Sequence, residues 1–206
     1  MTRIPVPARL ALAGLVTVVA LAVALWPRDS DEPALARPTP AVAESARAEA
    51  ALAPCPRPAP GVVGAGPLAG IATLCLSDGR PVDLAAALAG RPALLNLWAY
   101  WCGPCAQELP YLSQYAQRAG DAITVLTVHS DPDEAKALSR LAGLGVRLPG
   151  VLDPDAAIRT AVGAPAVLPI SVLLRPDGSV AEVVVRAFTG VDDIADTVSA
   201  RLGVAA

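Results

Sequence analysis

The chain has 206 residues, of which 54% are hydrophobic and 17% charged, and its formal net charge is −3. That apolar fraction is enough to build one sizeable core with appendages. The mild acidity excludes the electrostatic footprint of a nucleic-acid binder, and an aromatic content of 3% excludes a base-stacking platform.

The N-terminus reads as a membrane anchor. Arg3 and Arg9 precede an uncharged apolar run over residues 10–26 (LALAGLVTVVALAVALW). A run of this length sits at the short end of a spanning helix, about 17–25 residues, and exceeds the usual signal-peptide core of about 7–15. Trp26-Pro27-Arg28-Asp29 follows it, and the nearest Ala-x-Ala patterns, from Ala34 and Ala41, are distant. Residues 1–27 are therefore expected to be an uncleaved signal-anchor, with cleavage as the alternative. The basic flank before the run, and Asp29, Asp31 and Glu32 after it, orient the N-terminus to the cytoplasm and the rest outside. Disulfides persist in that compartment, which suits the four cysteines. Residues 28–66 are rich in Pro and Ala and read as a spacer, within which 41–53 is compatible with a transient helix.

A globular domain is expected over 67–206. Residues 71–76 read as a strand, Asp78-Gly79 as a turn, and 81–84 as the returning strand of a hairpin. Residues 84–88 read as a short helix ended by Gly90, and 93–98 as a buried strand. Residues 102–118 read as a helix that Pro110 should kink. A second buried strand is expected over 122–128, and a helix over 132–141 capped by Asp131. Residues 151–152 read as a short strand and 156–162 as a helix capped by Asp153 or Asp155. The strands 170–174 and 180–186, joined by Pro176-Asp177-Gly178, form a second hairpin, and 191–202 is the closing helix. This order, βαβ, then α, then ββα, defines an α/β sheet with covering helices.

The chemistry concentrates in Trp101-Cys102-Gly103-Pro104-Cys105, directly after the apolar strand. Two thiols two residues apart can close a small disulfide and open it again. Strand, turn and helix place Cys102 at a helix N-terminus, where unpaired N–H groups and the dipole favour its thiolate and make it the attacking group. Cys105, one turn further in, should be more buried and act as the resolving thiol. Zinc needs four ligands, and Cys55, Cys75 and the lone His129 form no second knuckle with the pair, so no metal is expected. An inert disulfide is disfavoured, because so short a loop gains little entropic stabilisation.

The segment from Leu95 to Cys105 resembles the active-site stretch of thioredoxin-fold proteins. The continuation through Glu108-Leu109-Pro110 is more similar to the membrane-tethered TlpA/ResA-like thiol–disulfide oxidoreductases, and the likeness runs from about Ile71 to the C-terminus. It implies a thioredoxin fold, a central mixed sheet flanked by helices, here with an N-terminal β-hairpin extension. It implies a cis peptide bond before Pro169, with the backbone of Leu168 offered to a substrate strand. It also supports Glu108 as the acid that moves a proton to or from Cys105. Asn96 stands where cytosolic thioredoxins usually carry a buried acid, so that position can hydrogen-bond but not titrate. Trp101, Gly103, Pro104 and Leu168 would shape the substrate groove, while Trp98 reads as core.

Cys55 and Cys75 lie outside that active site. They are expected to pair and pin the end of the spacer to the first strand, worth roughly 3 kcal/mol in the chain-entropy model; a redox relay with Cys102 is the alternative. His129 ends a strand on the ligand-binding side of such sheets, and a satisfied or exposed histidine is expected there before a catalytic one. The whole implies a reductase of protein disulfides without a cofactor, with apocytochrome c thiols as one substrate and a membrane or thioredoxin-linked relay as electron donor. A disulfide-forming oxidase is the alternative. A peroxiredoxin-like peroxidase lacks its Pro-x-x-x-Thr-x-x-Cys setting here, and the intact cysteine pair argues against a non-enzymatic tethered binding module.

Overall fold

The computed structural model describes residues 40–205. The anchor expected over 1–27 and the first part of the spacer lie outside the described residues. Among the described residues, no helix is long and apolar enough to cross a membrane.

Seven strands form one mixed sheet in the order β2-β1-β5-β4-β3-β6-β7. In chain order these are β1 (Ala72–Cys75), β2 (Pro81–Asp83), β3 (Ala93–Trp98), β4 (Thr124–His129), β5 (Gly150–Leu152), β6 (Ile170–Leu174) and β7 (Val180–Val184). The helices are α1 (Pro40–Ala50), α2 (Leu84–Leu88), α3 (Gly103–Ala119), α4 (Glu134–Leu144), α5 (Ala157–Ala161) and α6 (Val191–Leu202). β3, β4 and β5 run parallel, whereas β6 joins β3 antiparallel and the hairpins β1–β2 and β6–β7 close the two edges.

The central strands are buried on both faces, so they read as largely apolar runs with few polar interruptions. Their period-2 alternation still sorts the side chains. From β3, Leu94 and Trp98 enter the core beneath α3 and α6, while Ala93, Leu95 and Leu97 enter the core on the opposite face. The polar residues Asn96 on β3, His129 on β4 and Ser171 on β6 all take the α3 parity, which gathers these three on one face.

Three expectations are corrected. The stretch read as spacer is part of the folded body from Pro40 onward, because α1 packs on α4. Ala50 and Leu52 are buried there, Arg47 binds Glu134 at 2.7 Å, and Ala53 N–H donates to the carbonyl of Arg147. The Ala-rich pattern looked weak because its apolar side is small and its partner lies far along the chain. Second, α4 begins at Glu134 with Asp133, not Asp131, as its cap: the Asp133 carboxylate accepts the N–H of Lys136. Third, the residue before α5 is Ala156 in a left-handed conformation, and Asp153 supplies the anchoring from three residues earlier. The Asp153 carboxylate accepts the N–H groups of Ala157 and Ile158.

Candidate redox-active site

β3 ends at Trp98, and the chain turns through Ala99–Trp101 into α3. Cys102 is the N-cap of α3 and is disulfide-bonded to Cys105. Its sulfur accepts the backbone N–H of Cys105 at 3.2 Å. The same N–H, with the helix dipole, faces a thiolate on Cys102 once the bond is opened. Cys102 is 5% exposed and Cys105 0% exposed, the order expected for an attacking and a resolving sulfur. Gly103 and Pro104 occupy the first helical positions, where the missing N–H of Pro104 leaves no bond unmade.

Glu108 lies one turn beyond Cys105 and is fully buried. Asn96 Nδ2 donates to its Oε1 at 2.7 Å, and the Phe188 N–H donates to its Oε2 at 2.8 Å. Burial pushes the carboxyl above the ordinary range, and the two hydrogen bonds and the Arg186 charge offset this only in part. Asn96 also donates to Ser171 Oγ at 3.2 Å, a contact set by their direct pairing across β3 and β6. The amide thus orients a carboxyl that holds its proton more readily than a solvated one, on the helix that carries both cysteines.

His129 is fully buried against Trp98, and its Nε2 accepts the N–H of Tyr100 at 3.3 Å. Burial pushes the imidazole down to about 4, against the opposing pull of Asp131 and Asp133. It is therefore a neutral acceptor that holds the loop before Cys102 through Nε2, while Nδ1 is buried without a hydrogen-bond partner among the described residues, so the ring is only half satisfied. Asp131 accepts from Trp101 Nε1 at 3.0 Å, and Arg140 donates to the Tyr100 carbonyl. These ties fix the segment leading into the cysteine pair.

The Leu168–Pro169 peptide is cis, and Leu168 packs against the core that contains Cys102 and Cys105. Trp101, which is 59% exposed, and Leu168 line one cavity of about 370 Å³ together with Val167, Ala156 and Arg159. Of the four residues expected to shape a substrate groove, Trp101 and Leu168 line this cavity, whereas Gly103 and Pro104 do not. Cys55 and Cys75 are joined in a second disulfide, buried on the other face of the sheet with Leu68, Val82 and Leu84.

Sequence reasoning missed Phe188, Ser171 and Asp131 as parts of the site. Phe188 contributes a backbone N–H across 80 positions of sequence, which no residue type announces. Ser171 was legible only once β6 was registered against β3.

The Redoxin family model matches residues 57–199, more than half of the chain. The thiol-disulfide oxidoreductase ResA of Bacillus subtilis (strain 168) is 30% identical over 114 residues, covering 55% of this chain and 63% of that protein. The chain thus spans a little under two thirds of the curated relatives it matches. A secreted Mycobacterium tuberculosis disulfide oxidoreductase homologous to E. coli DsbE is 30% identical with a TM-score of 0.55, covering 65% of this chain and 97% of that one. A secreted thiol-disulfide isomerase from Corynebacterium glutamicum, 23% identical, shares the fold with a TM-score of 0.57, covering 65% of this chain and 82% of that one. The chain belongs to the Redoxin family. Within the thioredoxin superfamily it is a ResA-like protein.

Proposed function

We propose that this chain is an extracytoplasmic thiol–disulfide oxidoreductase, held at the membrane by residues 10–26, that reduces protein disulfides. The observation that carries the activity is the Cys102–Cys105 disulfide at the start of α3, with a buried carboxyl one turn beyond it whose raised proton affinity makes its carboxylate a better base. In the reduced protein, the Cys102 thiolate attacks one sulfur of a substrate disulfide. That bond breaks, a mixed disulfide forms, and the substrate's leaving thiolate takes a proton. Cys105, giving its proton to Glu108, then attacks the Cys102 sulfur and expels the second substrate thiolate, which is protonated in turn. The substrate gains two electrons and the protein is left with its Cys102–Cys105 disulfide, which an upstream dithiol reduces again.

The Gly103-Pro104 pair between the cysteines supports the reducing direction, and the ResA likeness supports apocytochrome c thiols as a substrate class. The Cys55–Cys75 disulfide and the secreted mycobacterial relative support a location outside the cytoplasm. The deciding measurement is the reduction potential of the Cys102–Cys105 couple against a thiol buffer. A value near thioredoxin's, about −270 mV, fits a reductase, whereas one near about −120 mV would make the chain a disulfide-forming oxidase.

A further inference from the structure

The groove beside the cysteine pair is apolar on most of its wall, with one charged side chain. Trp101 forms one side and Val167 and Leu168 the other, and Arg159 of α5 lines the same cavity. Val167 is 50% exposed and Trp101 59%, so a sizeable apolar surface lies open there.

Arg159 is half-buried, and its guanidinium has neither an ion pair nor a hydrogen bond among the described residues. Several other arginines are engaged, Arg47 with Glu134, Arg118 with Asp192, Arg186 with Asp193 and Arg201 with Glu182. The side chains of Arg80 and Arg147, which also lack a partner among the described residues, are exposed, whereas Arg159 is half-buried in a groove. The nearby acids are committed elsewhere or stand off. Asp153 spends both carboxylate oxygens on the N–H groups that open α5, and Asp131 accepts from the Trp101 indole. Asp155 makes no ion pair with Arg159 although it is four residues away. α5 itself is a fixed mount, because Asp153 holds its start and Ile158 is fully buried in the core.

The rest of the lining is apolar except for Ser130, whose hydroxyl is buried without a hydrogen-bond partner among the described residues, and an unpaired guanidinium in such a groove is a carboxylate-recognition element. We infer that Arg159 is a specificity-determining residue, selecting substrate segments that carry an Asp or Glu beside the reacting cysteine, with apolar neighbours packing on Trp101 and Val167. This rests on the thiol–disulfide reading of the site and names its substrate class.

The test uses the full chain, reduced beforehand and freed of reductant, in single-turnover reactions followed by Trp fluorescence. The substrates are disulfide-linked peptides alike except for one residue beside the cysteine, which is Glu, Gln or Lys in turn; oxidised glutathione and insulin serve as generic disulfides. The wild type should reduce the Glu peptide about two- to fivefold faster than the Gln peptide, the range expected of a partly exposed ion pair. That ratio should fall toward unity as salt is raised from about 0.01 to 0.5 M. Arg159→Gln should abolish the ratio, and Arg159→Glu should reverse it in favour of the Lys peptide. A Glu preference that survives unchanged in Arg159→Glu, or a wild type that reduces insulin but does not distinguish the peptides, overturns the inference while leaving the activity standing. A wild type that reacts with no disulfide overturns both.

Discussion

The two disulfides of this chain are chemically identical and almost equally buried, yet their surroundings assign them opposite work. Cys55 and Cys75 are 4% and 0% exposed, and Cys102 and Cys105 are 5% and 0%. Burial therefore does not separate a redox bond from a structural one. What separates them is the local backbone and the neighbouring polar groups. Cys55–Cys75 closes a loop with a sequence separation of 20 and sits among aliphatic side chains on one face of the sheet. Cys102–Cys105 spans a separation of 3, caps a helix, accepts a backbone N–H, and has Glu108 behind it and an open groove in front. On the proposed function, the first bond restrains the unfolded chain and the second is placed to be attacked.

The sharpest way to break this contrast is to remove one sulfur of the redox pair. Cys105→Ser should accumulate a mixed disulfide through Cys102, because attack proceeds and resolution cannot, whereas Cys102→Ser should trap nothing and lose all activity. Non-reducing gels and mass spectrometry of the trapped species read both outcomes. Trapping by Cys102→Ser and not by Cys105→Ser would reverse the assigned roles.

The second largest effect belongs to the other bond. Replacing both Cys55 and Cys75 with Ser should cost about 2–5 kcal/mol of stability, measured by denaturant unfolding, and leave disulfide reduction in the folded protein intact. The loop it closes ties the coil before Leu68 to β1, on the face of the sheet away from α3. An inactive but stably folded variant would instead make Cys55–Cys75 a relay.

Much of this contrast was legible in the sequence. The Trp-Cys-Gly-Pro-Cys stretch after an apolar strand located the helix start, and the likeness around Leu168-Pro169 located the facing loop. Both hairpins and the closing helix stood out through turn residues and acidic first-turn positions. What was not legible depends on contacts made across long separations. A transient helix was readable over 41–53, but its place in the folded body came only from its seat on α4, and the Ala-rich segment resembled a spacer because small side chains leave little periodic signal. Asp131 and Asp133 are equally plausible caps by type, and the choice was settled by Trp101, whose indole engages Asp131. The Asn96–Glu108 contact needed β3 and α3 to be packed, although the two residues are only 12 apart.

Glu108→Gln sharpens the comparison at the level of protons. On the proposed function Glu108 serves the redox bond, whereas the side-chain polar neighbour of Cys55–Cys75 is the Ser77 hydroxyl rather than a carboxyl. The amide keeps the shape but cannot exchange a proton, so resolution by Cys105 should slow by about a hundredfold, with the attack by Cys102 changing much less. Rapid-mixing kinetics that resolve formation and decay of the mixed disulfide test this. Equal slowing of both steps would make Glu108 a structural acceptor for Asn96 and Phe188 only.

The smallest effect is a pH dependence of stability that should be felt at the redox face. His129 is held at about 4 in the folded protein, against an ordinary value of 6.5, because its burial penalises the cation. Between these values the unfolded chain binds the proton and the folded chain does not. The stability is thus fully present above about pH 6.5 and is lost as the pH falls toward 4, by about 2 kcal/mol at pH 5. Glu108 runs the other way. Its raised value means that its contribution is present below the ordinary 4.5 and lost as the pH rises through the folded value, so the two slopes oppose each other in part. Measuring unfolding at pH 7 and pH 5 in the Glu108→Gln background removes the Glu108 slope, and because Asp153, whose value burial also raises, is the same in both variants, the change on adding His129→Gln reads the histidine alone. Protonation at Nε2 also removes the acceptor for Tyr100 N–H, so the protection of Tyr100 N–H, relative to its intrinsic exchange rate at each pH, should fall with acid before that of β1 around Cys75 does. An unchanged slope in the double variant would place the acid sensitivity elsewhere and detach His129 from the loop that carries Cys102.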